Sequence, residues 1–208
     1  MTPDPPESIA VRLRVEGWTC LVVGGGRVGS RRARRLAAGG ASVRVVDPDA
    51  DPMLDDEDRV VVERRRYRSS DVEGVRLVVC ATGVPEVDTE VAADAAQVGA
   101  LVNDATAGRS GDLTFPVVGR VGAVTVAIDT GGESPAVARW LVARLDTDLG
   151  APVAELIEIA SEARHDLVAT SGQTAHPQWE TALDDAWAHL SEGRRVEARL
   201  ALRRQLDL

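Results

Sequence analysis

The sequence predicts an α/β protein with a parallel sheet, followed by a small β-hairpin region and a helical C-terminal part. Three observations support this fold class. Short apolar runs alternate with helix-like stretches between residues 18 and 104, which is typical of parallel strands joined by crossover helices. Two strand-like runs near residue 120 have no helix between them, and the pattern is helical from residue 153 onwards. We therefore expect domains over residues 1–112, 113–149 and 150–208, with residues 1–8 as a disordered tail.

The composition restricts the classes of function. The formal net charge is −9, and all 24 basic residues are arginines. An acidic surface argues against nucleic-acid binding, and the absence of lysine excludes a Schiff-base mechanism. No apolar stretch approaches the ~20 residues of a membrane span, so we expect no membrane association. Cys20 and Cys80 lie in apolar runs, which favours buried thiols and a cytoplasmic setting.

The first predicted strand, residues 18–23, leads into a glycine-rich turn and a helix from Ser30 to Ala38. The turn has the pattern G-x-G-x-x-G, in which the glycines let a pyrophosphate approach the backbone at the helix N-terminus. The second strand, residues 41–47, ends at Asp47, whose carboxylate can bind a ribose 2′-hydroxyl. This arrangement predicts a Rossmann-type site for NAD, with Gly24, Gly26, Arg27, Val28, Gly29, Asp47, Pro48 and Thr82 as cofactor-binding residues.

The carboxylate of Asp47 favours NAD over NADP, because it would repel a 2′-phosphate, whereas the neighbouring Arg44 slightly weakens that inference. A structural alternative for the whole turn is a glycine-rich connection between strand and helix that binds no nucleotide.

The alternation continues with strands over residues 59–67, 75–82 and 100–104 and a helix over residues 85–99. Because the carboxyl ends of parallel strands line the ligand crevice, Asp104 is expected to face the cofactor or its substrate. A carboxylate there can accept a proton during a reaction. The structural alternative is an Asx turn or a helix cap, both of which are common roles for aspartate.

The pattern changes after residue 112. The run "DLTFPVVGRVGAVTVAIDT" predicts a hairpin that turns at residues 119–122. The loop "TGGESP" follows, and a helix is predicted from Pro135 to about Asp148. Residues 170–177 form a predicted loop within the helical C-terminal part. The final "GRRVEARLALRRQL" is typical of a basic amphipathic helix, for which a solvated face and a membrane-surface contact are the alternatives.

The segments "LVVGGGRVG", "VRLVVCATGVPEVDTEV", "LVND" and "FPVVGRVGAVTVAIDTGGESPAVARWL" together resemble the siroheme synthase dehydrogenase/ferrochelatase family, over residues 10–149. The resemblance implies NAD⁺-dependent oxidation of precorrin-2 to sirohydrochlorin, with Asp104 as the catalytic residue. It also implies a Rossmann domain, a central dimerisation domain that forms a homodimer, and a helical C-terminal domain. Some members of the family also insert Fe²⁺, so ferrochelatase activity stays open.

Precorrin-2 is a polycarboxylate, so a protein with an acidic surface must offer it basic groups, and arginine pairs strongly with carboxylates. We predict substrate binding by residues near the proposed site and in the glycine loop of the central domain; they are Arg109, Arg120, Thr130, Gly131, Ser134 and Arg139. The three histidines lack metal-ligand spacing, so no protein metal site is predicted.

One alternative function is not enzymatic. Residues 18–104 are also similar to the Rossmann domains of potassium-transport regulators, which sense NAD or another nucleotide without turnover. That alternative explains neither the hairpin nor the "TGGESP" loop.

Overall fold

The computed structural model describes residues 8–106, 111–121 and 123–208, in two compact units that meet in sequence between Phe115 and Pro116. The predicted boundary at residue 112 lies close to this position. The predicted boundary at residue 149 falls within one long helix, whose backbone is non-helical at Gly150 (φ 1°, ψ −112°). The three-part division therefore stays a prediction. Most of the predicted disordered tail, residues 1–7, and Arg109 lie outside the described residues.

The first unit is built on a five-stranded sheet in which every neighbouring pair is parallel. The strand order is β3-β2-β1-β4-β5, which is the doubly wound arrangement of dinucleotide-binding folds. The strands are β1 (Thr19–Val23), β2 (Ser42–Val46), β3 (Val60–Glu63), β4 (Leu77–Cys80) and β5 (Leu101–Asp104). Helix α1 (Arg27–Ala38) connects β1 to β2, and helix α2 (Pro85–Gln97) connects β4 to β5.

The core of this unit lies on both faces of the sheet. Alternate residues of the central strands β1 and β4 contribute to the two faces: Cys20 and Val22 pack on the side of α1, and Leu21 and Val23 pack on the side of α2. Every side chain of β4 is fully buried. Burial on both faces explains why these strands are continuous apolar runs in the sequence.

Strand β3 is shorter than predicted because the residues that follow it bond to other segments. Strand β3 ends at Glu63, whereas the sequence predicted a strand as far as Tyr67. The guanidinium of Arg65 binds both carboxylate oxygens of Asp71 at 2.7 and 2.8 Å. The hydroxyl of Tyr67 donates to Asp94 at 2.9 Å. These bonds fold the connection to β4 into a compact loop with a short 3₁₀ helix at Ser69–Val72.

The second unit begins with an antiparallel hairpin of β6 (Val117–Val121) and β7 (Val124–Ile128). The predicted turn at residues 119–122 was therefore wrong, because β6 continues through Val121. Gly119 lies within this strand, where an added Cβ would lie 2.1 Å from Cγ1 of Val142. Glycine at this position lets helix α3 (Pro135–Ser171) pack against the strand.

Helices α3, α4 (Trp179–Ser191) and α5 (Arg195–Gln205) form the rest of the second unit. Their core contains buried leucine and alanine residues, with Ile159 of α3 1% exposed and Leu202 of α5 fully buried. The predicted fold class is confirmed, since a parallel sheet, a separate hairpin and a helical C-terminal part are all present.

The arginines of α5 pair with acidic residues of α3. Arg195 lies 2.6 Å from Glu158, and Arg199 lies 3.1 Å from Glu162. One turn further along both helices, Arg203 pairs with Asp166. The basic face of this predicted amphipathic helix is thus directed towards α3. Within the described part of the chain, no helix combines the length and the apolar character that crossing a membrane requires. A cytoplasmic setting stays a prediction.

Candidate dinucleotide-binding and catalytic site

The glycine turn between β1 and α1 has a conformation that side chains would prevent. Gly24 has φ +99°, and a Cβ on it would lie 2.3 Å from the carbonyl oxygen of Ala81 at the end of β4. A Cβ on Gly29 would lie 1.7 Å from the carbonyl oxygen of Gly24. The first and last glycines of the motif therefore allow strand, turn and helix to pack in contact, as the motif requires.

In the middle of the turn, the main-chain N–H and the carbonyl oxygen of Gly25 both form hydrogen bonds. The N–H of Gly25 donates to Oδ2 of Asp47 at 2.5 Å. The carbonyl oxygen of Gly25 accepts from the hydroxyl of Ser30 at 2.7 Å and from the N–H of Asp51 at 3.1 Å. The turn therefore has a defined shape that is set by residues of α1 and of the loop after β2.

The N-terminus of α1 is suited to bind an anion. Helix α1 begins at Arg27, three residues before the predicted start, with Gly26 as its N-cap and no side-chain cap. Its first turn contains no acidic residue. A Cβ placed on Gly26 would have no described atom within 4 Å, and Arg27 and Val28 are exposed. Open backbone N–H groups at a helix N-terminus fit the pyrophosphate of a dinucleotide.

Asp47 has a structural role that the sequence did not predict. Besides the N–H of Gly25, its carboxylate accepts the N–H of Asp49 at 2.9 Å through Oδ1. Each carboxylate oxygen has two acceptor positions, so a ribose hydroxyl can still bind there. Pro48 is exposed next to it.

The guanidinium of Arg44, a positive charge near Asp47 that slightly weakened the predicted preference for NAD over NADP, binds other groups of the protein. One of its nitrogens donates to the carbonyl oxygen of Asp71, and Nε lies 4.0 Å from Oε1 of Glu63. Its guanidinium is therefore paired within the protein on the side of the loop before β4.

The carboxyl ends of β4 and β5 are joined through Asp88, a residue that the sequence analysis missed. Asp88 lies in the first turn of α2 and is 4% exposed. Its Oδ1 accepts from the N–H of Thr82 at 3.1 Å and from the hydroxyl of Thr82 at 2.8 Å. Its Oδ2 accepts from the hydroxyl of Thr106 at 2.8 Å. Asp88 could have been noticed because it shares the helical spacing of the buried residues Val91 and Ala95.

Asp104 is the last residue of β5 and pairs in register with Cys80 of β4. It is half-buried, and its Oδ1 accepts the N–H of Thr106 at 2.8 Å. This is the Asx-turn geometry that we considered as a structural alternative, and it leaves the carboxylate at the edge of the sheet. Burial, and then the charges of Asp88 and Asp104, raise the pKa of the Cys80 thiol to about 12.

The predicted substrate residues that are described all belong to the second unit. The hydroxyl of Thr130 accepts the N–H of Ser134 at 3.1 Å, and the hydroxyl of Ser134 accepts the N–H of Val137 at 3.3 Å as the N-cap of α3. Gly131 has φ +61°, which a glycine adopts readily. Arg120 and Arg139 are exposed. The "TGGESP" loop thus forms the capped start of α3.

Within residues 8–106, 111–121 and 123–208, no three His, Cys, Asp or Glu residues are grouped so that they could hold a metal ion. The prediction that the protein has no metal site of its own stays a prediction.

A doubly wound parallel sheet with a glycine turn at an uncapped helix N-terminus defines a Rossmann-type dinucleotide-binding protein. Comparison with known families agrees with this class. The chain belongs to the NAD_binding_7 family: its residues 11–117 match the family model described as "Putative NAD(P)-binding".

Curated relatives confirm the resemblance inferred from the sequence. The chain is 36% identical over 157 residues to a siroheme synthase of Pseudomonas putida (strain W619), covering 73% of this chain and 33% of the relative. It is 35% identical over 183 residues to a siroheme synthase of Chromobacterium violaceum, covering 86% of this chain and 39% of the relative. The chain therefore spans less than half the length of these relatives.

A solved structure shows the same fold along almost the whole chain. The precorrin-2 dehydrogenase SirC matches with a TM-score of 0.70 and 22% identity, covering 97% of this chain and 100% of that one. The similarity includes the hairpin and the C-terminal helices as well as the dinucleotide-binding unit.

Proposed function

We propose that this protein is an NAD-dependent dehydrogenase that oxidises precorrin-2 to sirohydrochlorin. The observation that supports this best is that Asp104 ends β5 and the glycine turn follows β1 in one parallel sheet, at the same edge. Only β4 lies between β1 and β5, so the two strand ends are roughly 10 Å apart. This distance suits a crevice in which a nucleotide bound at the turn extends towards Asp104.

The residues of this chain that would hold the cofactor are those of the glycine turn and the end of β2. The N-terminus of α1 would bind the pyrophosphate, and Asp47 would bind the adenosine ribose. Bound NAD⁺ supplies a hydride acceptor. We propose NAD rather than NADP, because a 2′-phosphate next to Asp47 would be repelled and the nearby Arg44 is paired with other groups.

Asp104 is proposed as the proton acceptor. A two-electron dehydrogenation transfers one hydride to NAD⁺ and releases one proton from the macrocycle, and a carboxylate at the strand end can take that proton. The hydrogen bond from the N–H of Thr106 orients Oδ1. The carboxylate would therefore be presented to the substrate in one orientation.

For the second unit we propose contacts with the carboxylates of the substrate. The exposed guanidinium groups of Arg120 and Arg139 suit such partners. The loop residues Thr130, Gly131 and Ser134 would contribute through the start of α3. Arg109 belongs to the same proposal, although it lies outside the described residues.

We also propose a homodimer that forms through residues 113–148. Trp140 and Val137, near the start of α3, are 63% and 49% exposed, and large exposed aromatic side chains are typical of interfaces. Light scattering at micromolar concentration should give the mass of two chains, and Trp140→Glu should give that of one.

The proposed reaction is tested by mixing the purified protein with precorrin-2 and NAD⁺ and following NADH absorbance. Appearance of NADH together with the sirohydrochlorin spectrum is expected. Binding of NAD⁺ without turnover would instead favour the nucleotide-sensing alternative. Adding Fe²⁺ afterwards tests ferrochelatase activity: loss of the sirohydrochlorin spectrum faster than without protein would establish it.

A further inference from the structure

The buried carboxylate of Asp88 has no part in the chemistry proposed so far. A buried charge is costly unless hydrogen bonds compensate it, and this carboxylate accepts three of them, two from Thr82 and one from Thr106. Thr82 follows β4 and Thr106 follows β5. Asp88 therefore ties the ends of two adjacent strands to the first turn of α2.

Thr106 contacts both carboxylates at this edge of the sheet. Its hydroxyl donates to Oδ2 of Asp88 at 2.8 Å, and its N–H donates to Oδ1 of Asp104 at 2.8 Å. Thr106 is itself exposed, so burial contributes little to its position. The hydrogen bond to the buried Asp88 connects the side chain of this exposed residue to the core.

We propose that Asp88 is a positioning residue for Asp104 and acts through Thr106. By holding the hydroxyl of Thr106, Asp88 directs the N–H of the same residue towards the carboxylate of Asp104. This inference rests on the proposed function of Asp104 as proton acceptor. A purely structural role for Asp88 would be to anchor α2, but α2 is already anchored by Val91 and Ala95, which are fully buried.

The test compares two variants that break the connection. Asp88→Ala removes the acceptor, and Thr106→Val removes the hydroxyl but keeps the shape and the backbone N–H. Each should lower kcat by about 10²-fold, the scale of a small misplacement of a catalytic group. The Kd for NAD⁺ should stay nearly unchanged in Thr106→Val, whereas Asp88→Ala should also raise it, because it releases the predicted cofactor residue Thr82 as well. The double variant should be no slower than either single variant, because both break one connection.

Two further variants separate positioning from loss of charge. Asp88→Asn should keep kcat within about tenfold of the wild-type value. The oxygen of the new amide can accept from Thr82, and its NH₂ group can donate to the Thr106 hydroxyl, because a hydroxyl accepts hydrogen bonds as well as donating them. Glu90→Ala removes an exposed acid on the same helix and should leave kcat unchanged. A kcat for Asp88→Asn as low as that for Asp88→Ala would overturn the positioning role.

Hydrogen exchange of the Thr106 amide provides a readout that does not depend on catalysis. Asp88→Ala and Thr106→Val should both speed this exchange, because the amide no longer points steadily at Asp104. The proposed positioning role alone would be overturned if the Thr106 amide exchanged at the wild-type rate in both variants. It would also be overturned if both variants had normal kcat while Asp104→Asn was inactive. Normal kcat in Asp104→Asn would instead refute the proposed proton acceptor, and the two failures are thereby distinguished.

Discussion

The N–H of Gly25 donates to the carboxylate of Asp47 at 2.5 Å, which ties the glycine turn after β1 to the end of β2. Asp47 is thus part of the turn as well as a candidate for the ribose. Loss of this carboxylate should therefore affect both the shape of the turn and the choice of cofactor.

We expect Asp47→Ala to weaken NAD⁺ binding by about tenfold or more, because a hydrogen bond to a charged group contributes about 1.5–3 kcal/mol. The preference for NAD⁺ over NADP⁺ should narrow at the same time. Titration of both nucleotides measures this, with Asp49→Ala as a control for loss of a nearby exposed acid. A wild-type preference for NADP⁺ would contradict the assignment.

Asp104→Asn should lower kcat by about 10²–10⁴-fold, since it keeps the shape of the side chain but removes the base. The Kd for NAD⁺ should change little. If Asp104 serves only its Asx turn with Thr106, the result will be a lower Tm with near-normal turnover. Measuring Tm, Kd and kcat on this one variant separates the two roles.

Gly24→Ala should destabilise the first unit by about 2–6 kcal/mol, because it combines a strained backbone with a steric clash. The new Cβ would lie 2.3 Å from the carbonyl oxygen of Ala81, at φ +99°. Gly26→Ala is the matched control, since its Cβ would meet open space. Urea unfolding should show the difference, and equal midpoints for the two variants would refute this account of the turn.

The two thiols should react slowly with a disulfide reagent in the native protein. Burial raises the pKa of Cys20 from 9.0 to about 11 and that of Cys80 from 9.0 to about 12. The folded state favours the protonated thiols, so they contribute to the free energy of unfolding below pH 9. This contribution is lost as the pH rises through 11 to 12. Rapid labelling at mildly alkaline pH without denaturant would show that the thiols are accessible.

Much of the first unit could be predicted because its determinants are local in sequence. Strands β1 and β4 are continuous apolar runs, as expected for strands buried on both faces. The spacing of Gly24, Gly26 and Gly29 likewise indicates a turn at a helix N-terminus. Periodicity could not place the end of β3 or the turn between β6 and β7, because contacts between distant segments contribute to both: Tyr67 with Asp94, and Gly119 with Val142.

The sequence by itself determined the fold class, the dinucleotide turn and the position of Asp104 at a strand end, because each depends on hydrophobic pattern and residue spacing over short segments. Only the tertiary structure decided which polar groups meet. It paired Asp47 with Gly25 of the glycine turn, which lies 22 positions earlier. It also joined Asp88 to Thr106 across 18 positions and Arg199 to Glu162 across 37 positions. Such hydrogen bonds and ion pairs depend on how separate segments pack, and no local pattern of residues encodes them.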